Sequence, residues 1–167
     1  MPISKQDVIR AAVQLERDGR KFYLDAAKKA SSTLPKRMFE SLAEDEAQHV
    51  EWIEKLSPGA KSAYEVSKAT YQRLSRIFAE IPEETRRTAR AARTDEEAIN
   101  LAILMEVKSR DAYLKWGQES TDKAVKVLCD VLAGAEAYHK HVLENTRDYL
   151  NHSTDFFLQD KGVVELG

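Results

Sequence analysis

Two segments of this chain place a carboxylate and an imidazole three residues apart: Glu46-Ala47-Gln48-His49 and Glu136-Ala137-Tyr138-His139. On a helix that spacing puts both groups on one face. Thirty residues before each segment stands another glutamate, Glu16 and Glu106. Four carboxylates and two imidazole nitrogens form a ligand set for divalent metal, since iron, manganese and zinc all accept these donors. A single Glu-x-x-His in a Glu-rich helix is a weak signal. Two at matched positions, each paired with an upstream glutamate, are a strong one.

The matching belongs to a repeat. Shifted by 90 residues, Leu15-Glu16 falls on Met105-Glu106, Tyr23 on Tyr113, Leu42-Ala43 on Leu132-Ala133, and Glu46 and His49 on Glu136 and His139. Ile9, Ala12 and Val13 fall on Ile99, Ala102 and Ile103. The repeating unit is a helical hairpin, used twice.

Each of the four glutamates sits within an apolar stripe. Helical neighbours of Glu16 are Ile9, Ala12, Val13 and Tyr23, and those of Glu106 are Ile99, Ala102, Ile103 and Tyr113. Phe39, Leu42, Ala43 and Ile53 surround Glu46; Cys129, Leu132, Ala133 and Leu143 surround Glu136. Glu51, among Glu44, Gln48, Glu54 and Lys55, has only a solvated face. Burying unpaired carboxylates costs several kcal/mol each, and mutual repulsion is expected to raise their pKa values. Arg20 and Arg110 are too few to neutralise the cluster. Two divalent ions balance four carboxylates, and His49 and His139 then supply one nitrogen to each. One Glu from each of two helices and one Glu-x-x-His from each of the others is the ligand set of di-iron and di-manganese bundles. Tyr23 and Tyr113 read equally as core aromatics or as donors to a ligand carboxylate. Cys129 reads as a buried thiol, His141 and His152 as surface residues, and Phe22, Phe39, Trp52 and Trp116 as packing.

These residues need helices to position them, and the sparse glycine and proline leave room for four. Ser4 can cap a helix over residues 5–30, which Ser31-Ser32-Thr33-Leu34-Pro35 ends. A second runs over 36–56. Thr94-Asp95-Glu96-Glu97 has the form of a capping box opening a third, to Glu119, and a fourth covers 123–150. The connection between the second and third carries its own helical stripe, Tyr71, Leu74, Phe78 and Ile81, and a basic run, Arg86, Arg87, Arg90 and Arg93, read as a solvated face. Two short links around one long crossover predict an all-α, ferritin-like four-helix bundle of two hairpins over residues 1–150. Residues 151–167, with Phe156-Phe157-Leu158, are expected to be a tail packing on the bundle or on a second subunit.

At 167 residues the chain is expected to form one domain. One cysteine excludes an intramolecular disulfide and an all-cysteine metal site. A net charge of −2 argues against a nucleic-acid partner. No stretch reads as a signal peptide or a membrane span, so a soluble, cytoplasmic protein is expected.

On Leu15-Glu16 with Tyr23, Glu46-x-x-His49, Met105-Glu106 with Tyr113, and Glu136-x-x-His139, the chain resembles the rubrerythrin branch of the ferritin-like superfamily over about residues 5–150. The resemblance implies a carboxylate-bridged, non-haem di-iron centre that reduces hydrogen peroxide or oxidises ferrous iron with oxygen, in a homodimer. Glu46 and Glu136 are the expected bridging ligands. Rubrerythrins proper also carry a four-cysteine rubredoxin module, which one cysteine cannot supply, and a further glutamate three residues after the helix-three ligand. Here that position is Ser109, and its repeat mate is Gly19. The expected protein is therefore rubrerythrin-like: an oxidoreductase with two irons (manganese or zinc being possible) that takes electrons from a separate donor protein. A ferroxidase or iron-handling protein, and a metal-stabilised interaction module, are the alternatives.

Overall fold

The computed structural model describes residues 3–56 and 95–163, the side chains of residues 149 and 152–163 excepted. Four helices make up nearly all of it: α1 Lys5–Lys29, α2 Thr33–Leu56, α3 Asp95–Glu119 and α4 Lys123–Val163. Ser4 caps α1 as expected, its side chain accepting from the Asp7 amide. Asp122 caps α4 by accepting from the amides of Ala124 and Val125 at 2.8 and 3.1 Å.

Two boundaries differ from expectation. α2 begins at Thr33, so Pro35 lies in its first turn, where a missing N–H removes no helical hydrogen bond. α4 continues past Leu150 to Val163, because no proline or glycine stands between Leu150 and Gly162. The polar run Asn151-His152-Ser153-Thr154-Asp155 leaves the backbone helical. The expected crossover helix, its basic run and Thr94 lie outside the described residues.

Two apolar clusters fix the helix directions. One joins Val8, Ile9 and Ala12 early in α1 with Ile53 late in α2, Tyr113 and Trp116 late in α3, and Val125 and Leu132 early in α4. The other joins Tyr23 and Ala27 late in α1 with Phe39 early in α2, Ile99 early in α3, and Leu143 of α4. Each helix is therefore antiparallel to both its neighbours: α1 packs on α2 and α3, and α4 on α3 and α2. α2 therefore ends at one end of the bundle and α3 begins at the other. Ile9, Phe39, Ile99 and Leu132 are at most 2% exposed. Each such burial contributes about 1.5–3 kcal/mol, which offsets the cost of the polar layer held between the two clusters.

Candidate metal centre

Among the described residues, seven polar or charged ones are buried: Glu16, Glu46, His49, Glu106, Ser120, Glu136 and His139. Six of them are the residues the repeat singled out. One comes from α1, two from α2, one from α3 and two from α4, all between the apolar clusters. Glu51, the contrasting case, is exposed.

The six converge as two overlapping groups. Glu16, Glu46, His49 and Glu136 form one, and Glu46, Glu106, Glu136 and His139 the other. Within each, one ligand atom per residue lies within 4.8 Å of all the others. Glu46 and Glu136 belong to both. His49 Nδ1 is 2.9 Å from Glu16 and 3.2 Å from Glu46. His139 Nδ1 faces Glu106 at 3.5 Å and Glu46 at 3.6 Å. The two imidazoles stack, with centroids 5.3 Å apart.

The tyrosines belong to this site. Tyr23 donates its hydroxyl to Glu106, and Tyr113 donates to Glu16, so each pairs with the glutamate of the other hairpin. Burial, reinforced by the neighbouring carboxylates, pushes both phenols well above their ordinary pKa, so they stay donors. A small cavity beside the carboxylates is lined by Leu15, Gly19, Tyr23, Met105 and Ser109. A Cβ at Gly19 would stand 3.2 Å from Glu46 Oε1, so a side chain there requires that carboxylate to give by a few tenths of an ångström.

Repulsion does not act on the carboxylates uniformly. Burial, then the charges of the other glutamates, raises Glu46 and Glu136 well above the ordinary carboxylate range. Glu16 departs from the expectation and is lowered. Burial raises it, but hydrogen bonds from Glu46, His49 and Tyr113 and the charge on His49 outweigh that. Burial lowers His139, and Glu106 and Asp45 more than reverse this, leaving it raised. The arginines do not neutralise the cluster: Arg110 pairs with Asp111 at 2.8 Å and Arg20 is exposed.

Three atoms of the cluster test whether metal ions fit. Glu106 Oε2, Glu136 Oε1 and His139 Nδ1 are buried with no hydrogen-bond partner. Such atoms are costly unless a cation or proton meets them. Carboxylate oxygens and a free imidazole nitrogen, shared between two groups, are what a metal pair takes. The arrangement fits a metal site.

Two contributors escaped the sequence reading. Asp45 lies behind His139, its Oδ2 3.4 Å from Nε2, but within Glu44-Asp45-Glu46 nothing marks it from its neighbours. Trp52, read as packing, is 38% exposed and lies against His49, with centroids 5.0 Å apart. Phe39 and Trp116 are core residues, Phe22 packs against the core, and His141 is exposed. Cys129 is a buried thiol, its pKa pushed up to about 11 by burial and by Asp130.

Four antiparallel helices around a buried carboxylate and imidazole layer define a ferritin-like four-helix bundle. The Rubrerythrin family model matches residues 7–147, and the chain belongs to that family. No curated protein and no solved structure matches it significantly. Among the described residues, no helix is long and apolar enough to cross a membrane.

Proposed function

We propose that this protein is a non-haem di-iron oxidoreductase acting on hydrogen peroxide or oxygen. The observation that carries this reading is the pair of overlapping ligand groups sharing Glu46 and Glu136. Glu16 and His49 would complete one position, and Glu106 and His139 the other. When bound there, an iron pair supplies two electrons to an oxidant.

The chain's own residues set the conditions for that chemistry. Apolar clusters on either side keep bulk water from the carboxylates. Tyr23 and Tyr113 hold one oxygen each of Glu106 and Glu16, which orients the remaining oxygens inward. The cavity edged by Gly19 and Ser109, about the size of one water molecule, lies beside Glu46 and Glu136. Those two carboxylates, raised by burial and neighbouring charge, are able to hold a proton near that space. With one cysteine, these 167 residues hold no four-cysteine iron centre, so repeated turnover calls for an electron donor outside them.

The test is anaerobic mixing of the Fe(II)-loaded protein with one equivalent of hydrogen peroxide, then repetition with a rubredoxin-like donor and reductant. Peroxide reduction to two waters takes two electrons and two protons, so one fast oxidation followed by donor-dependent turnover is expected. Sustained peroxide loss without donor would mean dismutation, and absence of any oxidation would leave a structural metal. Accumulation of iron beyond the pair would point to iron handling.

A further inference from the structure

The two halves of the site are related by the repeat, but what stands behind their imidazoles is not. His139 turns Nδ1 towards Glu46 and Glu106, and that nitrogen is buried without a hydrogen-bond partner. Its other ring nitrogen, Nε2, faces Asp45 at 3.4 Å. The repeat mate of Asp45 is Ala135, so the corresponding position on α4 offers His49 no carboxylate. Trp52 packs on His49 instead, and its own repeat mate is Val142. The repeat is thus broken at Asp45 and at Trp52, each of which abuts a histidine.

We propose that Asp45 is a positioning residue for His139 and makes the two metal positions unequal, the position holding His139 gripping its ion more tightly than the one holding His49. This rests on reading the six buried residues as ligands. An imidazole that donates one N–H to a carboxylate is fixed in a single tautomer, with the opposite lone pair presented to the metal. The carboxylate also makes that nitrogen a more basic ligand. With Nε2–H directed at Asp45, Nδ1 of His139 is the free donor, and it is the nitrogen that faces the cluster. Trp52 cannot do the same for His49, because an indole N–H donates and accepts nothing. Loss of such a carboxylate partner typically costs 10–100-fold in metal affinity. Asp45 is 42% exposed, so water competes for it, and the effect expected is about 10-fold, at the lower end of that range. One ion is then resident and the other exchangeable.

The experiment challenges the cobalt-loaded, full-length protein with increasing chelator, measuring metal per chain and the cobalt visible spectrum at each step. The wild type is expected to release its ions in two separate steps, the later of which disappears in His139→Ala. Asp45→Asn should move the later step to about 10-fold lower chelator and leave the earlier one in place. Asp45→Glu should recover part of the loss, and Ala135→Asp should move the earlier step up towards the later. Release in one step from the wild type overturns the proposal, as does an Asp45→Asn variant that shifts both steps together or neither; in each case the ligand reading stands. A folded wild type that takes up no cobalt overturns the ligand reading and the proposal with it.

Discussion

Tyr23 gives its hydroxyl hydrogen to Glu106 on the facing hairpin rather than to Glu16, the glutamate of its own helix. Helix geometry explains the choice. Every side chain on a helix leans towards that helix's N-terminus. Glu16 therefore leans away from Tyr23, whereas Glu106, on an antiparallel helix, leans towards it. The same geometry sends Tyr113 to Glu16. The two hairpins are thereby cross-linked through their own site.

The crossed tyrosines yield the first prediction. Tyr23→Phe leaves a buried oxygen of Glu106 without its donor, and Tyr113→Phe does the same to Glu16. An unsatisfied buried group costs about 1–3 kcal/mol, so each variant of the metal-free protein should unfold more easily by that amount in a denaturant titration. A change within experimental error for both would mean that the phenols are packing residues only.

Metal content should fall unequally. Glu46 and Glu136 belong to both ligand groups, whereas Glu16 and Glu106 belong to one each. Glu46→Ala or Glu136→Ala should strip most of the metal pair, Glu16→Ala should retain about one ion of the two, and exposed Glu51→Ala should retain both. Elemental analysis of purified variants decides this, and equal retention in all four would sink the ligand assignment.

The stability of the metal-free protein should rise on mild acidification. Glu46 and Glu136 have folded-state values raised above their ordinary 4.5. A raised value contributes stability that is fully present below the unfolded value and is lost as pH rises through the folded one. His139, raised above 6.5, acts in the same direction. Glu16, being lowered, acts in the opposite direction, but its stabilisation is lost only as pH falls below 4.5. Between about pH 7 and pH 5 the raised groups therefore govern. Thermal melts across that interval should show a rising midpoint, with a smaller rise in a Glu46→Gln, Glu136→Gln variant; identical slopes would contradict the coupling.

Two glycines should respond oppositely to the same substitution. Gly134 has nothing within 4 Å of an added Cβ, so Gly134→Ala should stabilise α4 by about 1 kcal/mol through helix propensity alone. Gly19→Ala brings the same propensity gain but places its Cβ 3.2 Å from Glu46 Oε1. Metal affinity should drop in Gly19→Ala and remain unchanged in Gly134→Ala, as read by chelator competition. Equal affinities would show that Glu46 has freedom to move aside.

The sequence alone determined which residues gather at the centre of this protein. Helical periodicity is a local property, so an apolar stripe interrupted by one glutamate reveals the face that glutamate must occupy, and a 90-residue repeat reveals that the pattern occurs twice. The all-α class, the capped start of α1 and the burial of the four glutamates and two histidines all follow from such short-range relationships. The expected end of α4 at about Leu150 is not met, since the backbone stays helical to Val163 with no proline to stop it. Tertiary structure decided everything that depends on two helices at once. Helix direction selected Glu106 rather than Glu16 as the partner of Tyr23. Packing of α2 against α4 placed Asp45 behind His139, whereas Trp52 meets His49 within α2, three residues on. Which groups converge, which carboxylates are raised and which imidazole faces a carboxylate from another helix are set by distances between helices, and periodicity along one helix carries no information about them.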